Sequence, residues 1–138
     1  MVAATTERPP VSLVDAAALK VHEQTIPQKL EELVAALERD GVVRKAVVVD
    51  AKTLVVLDGH HRLAALRRLG CKRVPVMLVD YLRADIRVGT WRKGEKPPDK
   101  TEVLRRAQDG KPFPPKSTRH FFPWRLHEEA FPLAGLRA

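Results

Sequence analysis

The sequence predicts a mixed α/β domain, a small sheet with flanking helices, and three observations carry that prediction. Apolar residues at helical spacing alternate with short β-branched runs, in the order helix, strand, strand, helix, strand. Each helical pattern runs out at a glycine: Gly41, Gly70 and Gly110. The 138 residues suffice for one buried core and are too few for two ordinary domains. Residues 1–138 are therefore expected to form one domain, with a loose N-terminal arm over about 1–10 and a C-terminal tail over about 121–138.

The arm ends in Pro9-Pro10, after which 11–19 reads as a first strand and 20–26 as a polar corner. From Pro27 the spacing of Leu30, Leu33, Val34 and Leu37 is helical; proline suits a first turn, and Asp40-Gly41 supplies the stop. The runs 45–50 and 53–57 are β-branched, are joined through Asp50-Ala51-Lys52, and read as neighbouring strands. Next comes 58–70, with Leu63, Leu66 and Leu69 on one helical face. The run 73–80 is an apolar strand whose Pro75 favours an edge or a strand start, and 85–91 reads as one more short strand. A charged loop, 92–98, leads to a helix over 99–108 with Asp99 as its cap. The proline-broken stretch 111–124 reads as loop, and His127, Glu128 and Glu129 as solvated residues on a helix face.

Composition narrows the function. A net charge of +8 implies an anionic partner, either nucleic acid or a small phosphate compound. One cysteine excludes an internal disulfide and a cysteine metal cluster, so Cys71 reads as a small packed residue. No run approaches the roughly 18 apolar residues of a membrane span, and the first ten residues lack an apolar signal core, so a soluble, cytoplasmic protein without a membrane partner is expected. The absence of Asn, only three Gln and 30% charged residues fit a thermophilic source.

The chemistry concentrates in two places. Asp58-Gly59-His60-His61-Arg62 opens a helix, where unpaired N–H groups and the positive end of the dipole already favour an anion. A helix that only packs gains nothing from His60, His61 and Arg62 in its first turn, whereas phosphate gains charge-assisted hydrogen bonds; the plain alternative is a solvated helix end. Adjacent histidines point in different directions on a helix and no His-x-x-x-His spacing accompanies them, so no residues are assigned to a metal. The second place is Lys116-Ser117-Thr118-Arg119-His120, two hydroxyls among cations in a loop held by Pro112, Pro114 and Pro115. Its plain alternative is an exposed basic loop.

At Asp58–Arg62 the sequence resembles the ParB/sulfiredoxin superfamily, and within it the archaeal free L-serine kinases. The likeness runs from about Leu19 to His120, through Leu19-Lys-Val-His-Glu23, 56–70, Pro75-Val-Met-Leu-Val-Asp-Tyr81, Val88-Gly-Thr-Trp91 and Phe113-Pro-Pro-Lys-Ser-Thr-Arg-His120. The resemblance implies a ParB/sulfiredoxin-like fold. It also implies transfer of a phosphoryl group from ATP or ADP, with Mg²⁺, to the hydroxyl of L-serine, giving O-phospho-L-serine for cysteine biosynthesis. It assigns Glu23 as catalytic base and places Asp58 in the loop that holds donor phosphates, where its chemistry suits a second carboxylate, a histidine orienter or a Mg²⁺ partner. Gly59, His60, His61, Arg62, Lys116, Ser117 and Thr118 would hold phosphates. Trp91, Thr118, Arg119 and His120 would hold serine, with Trp91 as plain core filler the alternative. Longer family members carry extra sequence between the tryptophan and the Lys-Ser-Thr-Arg-His loop; the short form here resembles versions expected to use ATP.

A ParB-like DNA-binding or nucleotide-switch protein is the rival reading, to which the charge is congenial. Such proteins add a helix-turn-helix, and 92–138 offers one good helix among many prolines, so a nucleic-acid partner is not expected. Sulfiredoxin chemistry needs a cysteine inside the phosphate loop, and Cys71 lies beyond the helix. Oligomeric state leaves no signal in the sequence.

Overall fold

A computed structural model of the chain describes residues 8–125 and 128–138. Residues 1–7 of the expected arm, and His127 with its expected helix-face role, lie outside the described residues. Along the chain run β1 (Val11–Asp15), α1 (Pro27–Asp40), β2 (Val42–Lys45), β3 (Val47–Asp50), β4 (Val56–Asp58) and α2 (His60–Arg68). They are followed by β5 (Arg73–Val79), β6 (Arg87–Gly89), α3 (Lys100–Gln108), β7 (Arg119–Phe121), β8 (Glu128–Pro132) and α4 (Leu133–Arg137).

The main sheet has the strand order β1-β5-β3-β4. β5 lies antiparallel to β1 and parallel to β3, and β3 lies antiparallel to β4. The chain between β3 and β5 passes through β4 and α2, which supplies the crossover that a parallel pair requires. Both faces of β3 are covered. Val47 and Val49 pack with Leu37, Leu63, Leu66, Leu133 and Leu136 from the helices of one side. Val48 packs on the other with Tyr81, Ile86, Val103 and Phe113. A strand covered on both faces loses its polar alternation, hence the uninterrupted Val47-Val48-Val49.

Helix α1 begins with Pro27 and ends at Gly41, whose φ of 71° lets its N–H bond the Leu37 carbonyl. It lies along α2, and an Arg68–Glu31 ion pair joins the two. Cys71 is buried in the core, as a packed thiol should be.

Several local expectations are corrected. The first strand stops at Asp15, because the Asp15 side chain accepts from the Ala17 N–H at 3.1 Å and caps a 3-10 turn over Ala16–Ala18. The expected strand 45–50 is split at Ala46: β2 ends at Lys45 and belongs to a separate two-stranded sheet with β8. The run 53–57 contributes β4 only from Val56, since Thr53 bonds Asp50 through its N–H and its hydroxyl and closes a turn. The expected strand 85–91 is confined to Arg87–Gly89. The stretch expected as loop and tail is built into the fold: β7 pairs with β6, β8 pairs with β2, and α4 buries Leu133 and Leu136 in the core. Glu128 and Glu129 are exposed, but on a strand rather than a helix. Their alternation with partly buried Phe131 is too short to register as a period.

Candidate active site

Two cavities, of about 600 and 450 Å³, share Glu23, His61 and Trp91 in their walls. The larger is bounded by Asp58–Arg62 on one side and Thr118–His120 on the other. The smaller adds Lys29 and Lys116. Four separate elements thus converge on one carboxylate: the 20–26 corner, the start of α2, the segment after β6, and the loop entering β7.

The start of α2 has one backbone constraint, at Gly59. That residue is the helix cap with φ 102°, and a Cβ there would sit 2.8 Å from Arg62 Nη1 and 3.2 Å from Val47 Cγ2. Arg62 folds back beneath the turn and donates to the Ala46 carbonyl at 3.0 Å. Burial lowers its guanidinium pKa and neighbouring Asp58 opposes the change. The two histidines do something the sequence did not indicate. His60 Nε2 accepts the His22 N–H at 3.2 Å, and His61 Nε2 accepts the Ile26 N–H at 2.9 Å. A ring nitrogen that accepts carries no proton, so both rings are neutral with the proton on Nδ1. Burial lowers both pKa values, helped for His60 by His22, His120 and His61, and for His61 by Lys29. The first turn therefore offers two neutral rings rather than two imidazolium ions, and these rings fasten the segment that carries Glu23.

Glu23 is also held from the opposite side. Its Oε1 accepts from the Thr118 N–H at 2.8 Å and from the Thr118 hydroxyl at 2.9 Å. Its backbone bridges to Phe113, with the Phe113 N–H on the His22 carbonyl and the Gln24 N–H on the Phe113 carbonyl. Ser117 is buried and donates to the Pro114 carbonyl at 2.6 Å, so its hydroxyl shapes the loop. Lys116 is exposed at φ 65°, a left-handed conformation that costs about 1–2 kcal/mol for a residue with a Cβ.

Trp91 is 56% exposed and so is no core filler; the Arg119 guanidinium stacks on it at 4.0 Å and lies 4.8 Å from Phe121. His120 is held by Tyr81, whose hydroxyl hydrogen-bonds Nε2 at 2.8 Å. Burial lowers the His120 pKa to about 3, with His22 adding to the effect and the Leu57 carbonyl opposing it; Nδ1 nonetheless completes no hydrogen bond.

All the sequence-derived candidates gather at this cleft except that Ser117 faces its own loop. Three residues were missed. His22 and Tyr81 lie within the quoted motifs but carry no exposed chemistry in the sequence, and Lys45 enters from β2 with an ion pair to Glu128 at 3.8 Å. Among the described residues no group of three or more His, Cys, Asp or Glu side chains is placed to hold a metal ion. No described helix is long and apolar enough to cross a membrane.

The chain is 35% identical over 83 residues to an ATP-dependent L-serine kinase of Staphylothermus marinus, covering 57% of this chain and 33% of that protein. It is 35% identical over 94 residues to an ADP-dependent L-serine kinase of Thermococcus kodakarensis, covering 65% and 38%. The aligned stretches thus span about a third of these curated relatives. A ParB-like protein of Sulfolobus acidocaldarius is 32% identical over 97 residues, covering 67% of this chain and 48% of that one. The fold is shared with a solved free serine kinase in complex with AMP, with a TM-score of 0.87 at 18% identity over 94% of this chain and 95% of that chain. The ParB N-terminal domain model matches residues 3–88, more than half of the chain, and the protein belongs to that family.

Proposed function

We propose that the chain is a free L-serine kinase, moving a phosphoryl group from ATP or ADP to the hydroxyl of L-serine to give O-phospho-L-serine. The observation that carries this reading is the position of Glu23 on the wall common to two adjoining cavities, one rimmed by a helix start and the other by Lys29 and Lys116. A carboxylate between two binding spaces suits a reaction in which one substrate hydroxyl loses a proton as it attacks the other substrate. The names of the relatives support the same reaction class.

Phosphoryl transfer asks for positioning and for neutralisation of spreading negative charge. The amides of the first turn of α2 and the Nδ1–H groups of His60 and His61 are the donors for nucleotide phosphates, with Arg62 beneath the turn and Lys116 across it supplying charge. Trp91 and Arg119 suit the amino acid, Arg119 for its carboxylate, and Thr118 and His120 line the same space. Glu23 takes the proton of the serine hydroxyl, and the oxygen then attacks the terminal phosphorus. Mg²⁺ fits as a passenger on the nucleotide, since it is commonly held by one or two carboxylates plus phosphates, and Asp58 is the carboxylate beside the phosphate turn. When bound it would neutralise phosphate charge. We place the reaction in the cytoplasm, within one domain, with the product serving cysteine biosynthesis.

Incubation with Mg²⁺, serine and either ATP or ADP tests the reading through the appearance of phosphoserine. Glu23→Gln should lower turnover at least about a hundredfold, the low end for loss of a general base, while nucleotide affinity changes little. No phosphoserine with either donor from folded, warm protein refutes the proposal. A DNA-binding reading retains the +8 charge and the ParB-like relative in its favour. Tight DNA binding with steep salt dependence and no phosphoserine would replace the kinase with it.

A further inference from the structure

The kinase reading leaves one buried polar residue without a task. His22 is fully buried, with its ring 4.4 Å from that of His60, 5.7 Å from His120 and 6.4 Å from Phe113. Its Nδ1 lies 2.7 Å from the Val56 carbonyl, which can only accept, so Nδ1 bears a proton. Burial among neutral neighbours lowers its pKa to about 4, against the smaller opposing effect of the Val56 bond, so the ring is neutral and Nε2 is a bare acceptor. That acceptor is 2.8 Å from the Thr118 hydroxyl, and the same hydroxyl is 2.9 Å from Glu23 Oε1. A hydroxyl has one proton, and here it faces two acceptors.

We infer that His22 is a positioning residue for phosphoryl transfer: it gives the Thr118 hydroxyl a second acceptor, to which that hydroxyl turns when Glu23 takes the substrate proton. This inference rests on the kinase reading of the site. In the resting state ionised Glu23 holds both the Thr118 N–H and the Thr118 O–H on Oε1, and His22 Nε2 faces the hydroxyl oxygen without a proton between them. As the serine O–H bond breaks, its proton passes to the other carboxylate oxygen, Oε2, and its electron pair stays on the serine oxygen for attack at phosphorus. Neutral Glu23 is a weaker acceptor. The Thr118 O–H then rotates onto His22 Nε2, while its N–H keeps Glu23 in place. No bond of Thr118 or His22 is made or broken; one hydrogen bond changes acceptor. The rotation removes the lone-pair opposition at His22 at the moment the base becomes neutral, so its benefit falls in the transition state and not in substrate binding.

Other charged groups do not duplicate this part. Lys29 and Lys116 reach the smaller cavity, Arg119 and Lys45 the larger, and Asp58 and Arg62 stand across the helix start. None of them is a hydrogen-bond partner of the Thr118 hydroxyl.

The test compares steady-state kinetics of phosphoserine formation in four variants with wild type. Thr118→Val removes the hydroxyl and keeps the backbone N–H. His22→Asn retains a donor for the Val56 carbonyl and removes the acceptor at the Nε2 position; His22→Gln restores an acceptor there. Thr118→Val and His22→Asn should each lower kcat about tenfold, the scale of one hydrogen bond, with KM for serine and nucleotide within about twofold of wild type. The double variant should be no slower than the slower single one, because both changes break one device, and His22→Gln should recover most of the loss. Unchanged kcat in Thr118→Val, additive losses in the double variant, or a His22→Gln as slow as His22→Asn would each overturn the inference while leaving the kinase reading intact. Absence of phosphoserine from the wild type removes both. Should a His22 variant not fold, as read by circular dichroism, the 15N shift of His22 Nε2 decides: it should move toward hydrogen-bonded values in Glu23→Gln, where the carboxylate is gone, and an unchanged shift would overturn the inference.

Discussion

Acid should unfold this protein through its buried histidines, and the size of the effect follows from their positions. Burial lowers the His22 pKa to about 4 and the His120 pKa to about 3, from the ordinary 6.5. In the unfolded chain both rings protonate as pH falls through 6.5, whereas in the folded protein neither does until pH 4 or below. Between these limits the unfolded state binds more protons, so stability is complete above about pH 6.5 and declines as pH falls toward 4. Each ring loses about 1.4 kcal/mol per pH unit in that window, so lowering the pH from 7 to 5 costs about 2 kcal/mol for His22 and a similar amount for His120. His60, lowered in the same direction, adds to the loss. A total of roughly 4 kcal/mol is a large share of the 5–15 kcal/mol typical of a folded domain. Urea unfolding at pH 7 and pH 5, at one ionic strength and followed by circular dichroism, measures it. His22→Gln should remove about half of the difference between the two pH values. A wild-type difference below about 1 kcal/mol would refute the claim that these rings are held neutral by burial.

Two further outcomes are open to the same measurements. Gly59→Ala places a Cβ at φ 102°, 2.8 Å from Arg62, so urea unfolding should show a loss of about 1–3 kcal/mol and nucleotide KM should rise as the turn shifts; unchanged values of both would contradict the strained turn. Tyr81→Phe strips His120 Nε2 of its partner in a place where Nδ1 already lacks one, and should destabilise the protein by about 1–3 kcal/mol with no loss of helix by circular dichroism.

The sequence by itself determined what depends on local periodicity and on residue chemistry at a helix start. Leu30, Leu33, Val34 and Leu37 announce α1, and Leu63 and Leu66 announce α2, because a helix displays its buried face at a period that neighbours in sequence reveal. The basic loop 116–120 and the Asp58–Arg62 turn are legible for the same reason, being continuous segments of one chemical character. The β8–β2 and β7–β6 pairings are not, since strands of three to five residues borrow their partners from 30 to 90 positions away and carry no period of their own. Val47-Val48-Val49 names a buried strand without naming its neighbours. Only tertiary structure decided the roles of His60 and His61, which from sequence are cations for phosphate and in the fold are neutral acceptors that fasten the Glu23 segment. The reason is physical. A histidine's charge and tautomer are set by the groups that reach its two nitrogens and by the water it loses, and those groups, His22, Ile26 and Val56 among them, arrive from parts of the chain that the sequence keeps apart.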